Sequence, residues 1–440
     1  MEVFMKKIIL SLLFCAVAVT VSAGKPAVPA PAVQLKTAEL IVISADRAEA
    51  RCGEKITFSI KVSGKKIAKR QIIAEIEGNA KIRSNKQLVT DDAGTAKLEI
   101  TSDRPGMVYC RVLLKGLPRN TSRTAGVAVD KAKVTPALPC PADFNAYWDK
   151  IKADLNARPM DAIVTPEPVK NKALKGFKVI FPMGGDGKDG YAKLSYPANA
   201  KPKSLPAFLL VHGAGTGRVG VKEDWTTIGG GMLLLSLSPM PADSKGEAYA
   251  ARQGRFAGYR LWNPDNRDKI FFNMMFQRVY RALQYLKSRP EWDGKTLIVY
   301  GVSQGGGQAL AAGGLDAQIT MVVAHVPALC SHGGYAAGGV SGWPHYYRTP
   351  EYRKNKQAVL NASAYIDGVN FARNIKNARV LISTGFVDYT CPSESVFAAF
   401  NIIPSSDKKL ICTPKANHRV PGAVRNQTLK AVAEHIKSRR

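Results

Sequence analysis

Six apolar runs, "PAFLLVHGAG", "GMLLLSLSP", "KTLIVYGVS", "ITMVVAHVP", "ARVLISTGFVD" and "KKLICTPKANH", follow one another between residues 206 and 418. Each is apolar at nearly every position through its body, so each is a strand that has to be covered on both faces, the condition met in parallel sheets with helices on either side. Segments of helical length separate several of them, notably "NMMFQRVYRALQYLKSR" ahead of the third run, and "AVRNQTLKAVAEHIKS" comes last. Upstream, "FKVIFP" and "GYAKLSYP" read as an antiparallel pair that opens the same sheet. The alternation predicts an α/β domain over residues 136–440 with a doubly wound, mostly parallel sheet.

With 440 residues, 45% of them hydrophobic, the chain has room for a second core. Residues 38–132 supply it in a different pattern: "AELIVIS", "KITFSIKVSG", "RQIIAEIEG", "TAKLEITS", "MVYCRVLL" and "AGVAVD", separated by turn signals such as Ser63-Gly64 and Arg104-Pro105-Gly106. Short strands at this spacing without helical periodicity predict a small all-β sandwich. The stretch "DDAGTAKLEITSDRPGMVYCRVLL" resembles bacterial immunoglobulin-like domains. A linker containing Pro136, Pro139 and Pro141 closes the sandwich, and "DFNAYWDKIKADL" then places Phe144, Tyr147, Trp148, Ile151 and Leu155 on one face of a helix.

At the amino end, Lys6 and Lys7 precede an apolar run from Ile8 to Val21 and the small-residue sequence Val21-Ser22-Ala23. This reads as a signal peptide over 1–23 and a secreted or periplasmic destination, followed by a Pro/Ala linker over 24–37. No later run reaches the roughly 18 apolar residues of a membrane helix, so no stable insertion is expected. Six cysteines follow: Cys52, Cys110, Cys140, Cys330, Cys391 and Cys412. In an exported chain they permit disulfides, Cys52 with Cys110 first, and isolated buried thiols are the equal alternative. The formal charge of +29 is spread along the chain without interleaved aromatics, which argues against a nucleic-acid partner. A solvated basic surface follows, with attraction to uronate-bearing glycans as a second possibility.

The chemistry starts at "VYGVSQGGGQ", where Ser303 stands between Gly301 and Gly305 at a strand end. A strand turning sharply into a helix puts the middle residue in a strained conformation, and small neighbours two positions away on each side avoid a clash, which is the mechanical basis of G-x-S-x-G. A serine hydroxyl needs a base, and the base an orienting carboxylate. Asp388 ends the strand "ARVLISTGFVD" and His418 follows "KKLICTPKAN". Both fall on the sheet edge where Ser303 lies, and the order Ser303, Asp388, His418 is that of α/β-hydrolases. His325 is read as a buried imidazole, His332 and His345 as part of a glycine-rich insertion, and His435 as a helix residue. Asp367 and Asp407 are read as surface residues. Backbone N–H groups of Gln304 and of Ala214, in the loop "HGAGTG", are the expected oxyanion donors. His212 is read as structural, and the cysteine and histidine spacing calls for neither metal nor cofactor.

Four stretches, "PADFNAYWDK", "GVSQGGGQAL", "VPALC" and "VDYTCPSESVFAAFNIIPSSDKKLI", resemble the acetyl xylan esterase and cephalosporin C deacetylase family of carbohydrate esterases over about residues 139–440. The resemblance implies removal of acetyl groups from acetylated oligosaccharides or polysaccharides through an acyl-enzyme. Pro327 and Tyr389 would wall the acyl pocket, and Trp343 and Tyr335 would offer sugar-stacking faces or pack the insertion onto the body. Three departures stand out. Arg252-Gln253-Gly254 replaces the family's Arg-Gly-Gln, Arg419 rather than glutamate follows His418, and Ala214 stands at the family's oxyanion-loop tyrosine. Two alternatives remain: another α/β-hydrolase, either a prolyl-oligopeptidase-like peptidase or a feruloyl-type esterase, and a non-catalytic glycan-binding protein.

Overall fold

The computed structural model describes residues 40–440 except 65–66, 79–83, 118–120, 185–188, 216–218 and 242–255. The expected signal peptide, the Pro/Ala linker and Arg252-Gln253-Gly254 lie outside the described residues.

The amino-terminal strands are β1 (Leu40–Ala45), β2 (Glu49–Ala50), β3 (Lys55–Ser63), β4 (Gln71–Gly78), β5 (Ser84–Val89), β6 (Thr95–Thr101), β7 (Gly106–Leu114) and β8 (Arg123–Val129). They form one sheet in the order β1-β3-β6 and another in the order β2-β8-β7-β4-β5. Ile56, Phe58 and Ile60 from β3 meet Ile72, Ala74 and Ile76 from β4 and Val108 and Val112 from β7 in a shared core. In β3 every second residue is buried, as a strand with one wet face requires. The sequence runs missed β2, which is two residues long, and β5, "SNKQLV", which has no buried position because it lies at the sheet edge.

The six cysteines from Cys52 to Cys412 are free thiols. The pair Cys52–Cys110 is not formed. Cys110 points into the sandwich core, where burial pushes its thiol up to about 12. Cys52 sits in a turn whose N–H donates to Asp130 Oδ2 at 3.1 Å.

The second body is a nine-stranded sheet in the order β17-β16-β15-β14-β12-β13-β11-β10-β9. Its strands are β9 (Ile163–Pro166), β10 (Leu174–Phe181), β11 (Gly190–Pro197), β12 (Leu205–Val211), β13 (Leu233–Leu237), β14 (Trp292–Val302), β15 (Met321–His325), β16 (Arg379–Gly385) and β17 (Lys408–Thr413). β12 to β17 run parallel to their partners within that group, whereas β9, β10 and β11 are antiparallel. The expected opening pair is β10 with β11. The addition is β9, four residues long and exposed at every position.

The helices used below are α1 (Phe144–Asn156), α2 (Phe271–Ser288), α3 (Gln304–Leu315), α4 (Ser393–Ile402) and α5 (Gly422–Arg439). In α1, Phe144, Trp148 and Leu155 are buried, while Tyr147 and Ile151 pack partly buried against the same core. Trp148 donates its indole N–H to the Tyr365 carbonyl at 3.0 Å, and its ring lies against Phe371 and Phe276. Truncating a buried tryptophan of this kind costs about 3–5 kcal/mol.

Candidate active site

Ser303 leaves β14 with φ 62° and ψ −121° and caps α3. Its backbone is pinned on both sides: its N–H donates to the His325 carbonyl at 2.9 Å, and its own carbonyl accepts from Gly307 and Ala328. The two flanking glycines touch. A Cβ on Gly301 would lie 2.1 Å from the Gly305 carbonyl oxygen, and one on Gly305 would lie 2.5 Å from that of Val211. The strained turn is therefore bought with two absent side chains.

Parallel pairing of β14, β15, β16 and β17 delivers the other groups to the same edge. The Asp388 loop is tied to the strand and loop that lead to His418, since Phe386 N–H donates to Thr413 O and Val387 N–H to Ala416 O. Ser303 Oγ lies 2.8 Å from His418 Nε2, and His418 Nδ1 lies 2.8 Å from Asp388 Oδ2. Asp388 is fully buried, and its Oδ1 accepts from the N–H groups of Thr390 and Cys391. An ionised carboxylate only accepts, so His418 carries its proton on Nδ1 and turns the lone pair of Nε2 toward the serine. The arrangement can deprotonate a serine hydroxyl.

Among the described residues, no other histidine ring is hydrogen-bonded to Ser303 or Asp388. His325 and His212 face Ser383 and Ser236 at 2.7 and 2.8 Å, His435 faces Thr320 at 3.0 Å, and burial pushes all three down to about 4. His332 is buried, and His345 is also pushed down to about 4 by burial. Asp407 has the exposed side chain expected of it. Asp367 does not. It is buried and accepts from the N–H groups of Ser331, His332 and Val369, so it fastens the glycine-rich segment to the short helix Gly368–Ala372.

The loop after β12 approaches the serine closely enough that a Cβ on Gly213 would stand 3.9 Å from Ser303 Cβ. Neither the Gln304 nor the Ala214 backbone N–H has an acceptor among the described residues. Pro327 is buried beneath α3 and touches Gly306. Trp343 packs edge-on against Phe272, which fits the packing alternative. Tyr335 is 39% exposed and stacks on Tyr347 with ring centroids 4.1 Å apart. The Tyr389 ring lies between Tyr109 and Arg111 of β7, against the amino-terminal sheet.

Sequence reasoning missed Tyr259. Its buried hydroxyl accepts from the Gly215 N–H at 3.1 Å and donates to Gln304 Oε1 at 2.6 Å, joining the loop after β12 to the first residue of α3. Gln308 makes a parallel tie to the His212 carbonyl at 2.8 Å. Tyr259 opens a single 3-10 turn, Tyr259–Leu261, too short to show a period. Tyr259→Phe keeps the ring packing on Phe271 and removes only the tie. We expect kcat on an activated acetate ester to fall about 10-fold, with KM within about twofold, because two donor groups lose their common anchor. An unchanged kcat would show that the loop holds itself.

Outside comparison fits this geometry. The sequence model of the acetyl xylan esterase (AXE1) family matches residues 130–435. The chain belongs to the acetyl xylan esterase family. It is thereby a serine carboxylic-ester hydrolase on an α/β-hydrolase fold. The acetyl esterase Axe7A of Xylanibacter ruminicola is 30% identical over 345 residues, 75% of this chain and 75% of that one. The acetyl xylan esterase from Paenibacillus sp. R4 superposes with a TM-score of 0.60 at 27% identity, over 69% of this chain and 98% of its own. Acetyl xylan esterase 1 from Thermoanaerobacterium sp. JW/SL YS485 gives 0.60 at 22% identity, over 69% and 97%, a likeness of fold. Among the described residues, no helix is long and apolar enough to cross a membrane.

Proposed function

We propose that this acetyl xylan esterase family member removes acetyl groups from hydroxyls of an acetylated oligosaccharide or polysaccharide, and that it works after export. The observation that carries the chemistry is the unbroken chain Asp388 Oδ2, His418 Nδ1, His418 Nε2, Ser303 Oγ, with both links at 2.8 Å. Ser303 Oγ attacks the acetyl carbonyl as Nε2 takes its proton. The resulting oxyanion is held by the N–H groups of Gln304 and Ala214, the first at a helix N-terminus that also favours negative charge. Collapse expels the sugar oxygen, which receives the proton from His418 and leaves as a hydroxyl. Water, deprotonated by His418, then attacks the acetyl-enzyme, and acetate departs as Ser303 regains its proton. Family membership and the names of the relatives support the acetyl-sugar substrate, and the pattern of residues 1–23 supports export.

The test is acetate release by the exported protein. From a culture expressing the full chain, the periplasmic or secreted fraction is expected to contain a protein beginning at Gly24. That protein is expected to free acetate from acetylated xylan and xylo-oligosaccharides, leaving feruloyl esters and peptides intact. Cleavage of either of those with acetylated sugars untouched would replace the substrate, and retention of residues 1–23 on a cytoplasmic protein would overturn export.

A further inference from the structure

In a two-layer sandwich a strand keeps one face in its own core and offers the other to water. β7 does the first and not the second. Val108, Cys110 and Val112 point into the sandwich core, while Met107 and Tyr109, from the alternate face, belong to the core of the large α/β body. This is why "MVYCRVLL" is nearly continuous in its apolar residues where β3 alternates.

What that second face touches is the segment just around Asp388. Gly126 on β8 lies against the Phe386 carbonyl so closely that a Cβ there would stand 2.2 Å from the oxygen. Tyr109 packs on Tyr389 with centroids 5.3 Å apart, and the Arg111 guanidinium lies 4.3 Å from the centre of the Tyr389 ring while pairing with Glu75 of β4 at 3.4 Å. Met107 N–H donates to Glu394 Oε2 at 3.3 Å, in the first turn of α4. The sheet thus grips the chain two residues before Asp388, one residue after it, and at the helix beyond. Between those grips, the Thr390 and Cys391 N–H groups aim the carboxylate.

We infer that the amino-terminal five-stranded sheet is part of the frame that sets the Asp388 carboxylate against His418, with Gly126, Tyr109 and Arg111 as positioning residues. This rests on the reading of Ser303, His418 and Asp388 as the reacting set. It gives the β-structure a role in turnover beyond that of a tethered attachment module.

The test uses the full chain carrying Gly126→Ala, with Arg111→Met as a second variant that keeps an aliphatic stem and removes the guanidinium from Tyr389. The new methyl must displace the Phe386 carbonyl. Misplacement of a catalytic group by a fraction of an ångström to about 1 Å lowers kcat by about 10- to 100-fold, with KM within about threefold. A carboxylate moved away from His418 stabilises the imidazolium less. The acid limb of the kcat/KM profile should therefore move to lower pH. His345, Cys391 and Tyr109, which feel the Asp388 charge, are not themselves replaced in Gly126→Ala, and Tyr109 is the cross-strand partner of residue 126. Arg111→Met should move the same quantities in the same direction by a smaller amount, with Arg111→Lys recovering part of the loss. If Gly126→Ala fails to fold, Arg111→Met decides alone. Folded variants with wild-type kcat and a wild-type pH profile overturn the inference while leaving the proposed reaction intact. A wild type without esterase activity, or a Ser303→Ala variant that keeps it, would instead overturn the reaction.

Discussion

Ser303→Ala is expected to lower kcat on an activated acetate ester by about five to six orders of magnitude. The substitution removes one atom, Oγ, whose recorded partner is His418 Nε2 at 2.8 Å. Alanine must adopt the same positive φ of 62° that serine adopts. The cost of that conformation falls equally on both, so the thermal transition should move by no more than about 2 °C. What remains is binding and the oxyanion donors, which by themselves sustain only about 10³- to 10⁴-fold catalysis over water. Turnover of 4-nitrophenyl acetate with a melting curve on the same sample checks it. A folded variant retaining more than about a thousandth of wild-type kcat would remove Ser303 as the nucleophile.

Asp388→Asn should cost about 10⁴ in kcat with the fold intact. The amide oxygen can go on accepting from the Thr390 and Cys391 N–H groups, which fixes the side chain's orientation and turns its NH₂ toward His418 Nδ1. That nitrogen must then accept, the ring proton moves to Nε2, and the imidazole donates to Ser303 where it ought to receive. The loss comes from the wrong tautomer and from the missing charge opposite the imidazolium. Asp388→Ala would be a poorer test, since it strands the buried Cys391 N–H, at about 1–3 kcal/mol, along with the half-buried Thr390 N–H. A kcat loss in Asp388→Asn smaller than about 10-fold would mean that Asp388 does not orient His418.

The meeting of Ser303, Asp388 and His418 was legible because a parallel sheet sends the carboxyl end of every strand to one edge. Once the apolar runs ending before Ser303, Asp388 and His418 are recognised as neighbouring strands, their loops have to meet. The glycines of the elbow were legible for a local reason: Gly301 and Gly305 stand two residues either side of Ser303, and the space they vacate lies within the turn and against Val211. Asp367 was misread because its partners are the backbone N–H groups of Ser331 and His332, more than thirty residues away and without side-chain signature. Tyr259 and Gln308 escaped notice likewise, since a hydroxyl and an amide that brace a loop look no different in sequence from those facing water.

The amino-terminal strands divide the same way. Their alternation predicted a small β-sandwich, with "MVYCRVLL" as one of its ordinary strands; that this strand has no wet face emerged only from the packing. Only packing decided that its second face would take up Tyr389 and that Cys52 and Cys110 would remain apart. Periodicity and strand order therefore determined the architecture and the meeting of Ser303, Asp388 and His418, because backbone geometry repeats every few residues and leaves its period in the chain. The braces around those residues were decided by tertiary structure alone. They join positions up to 287 residues apart through single hydrogen bonds and ring contacts, and no local pattern encodes such a pairing.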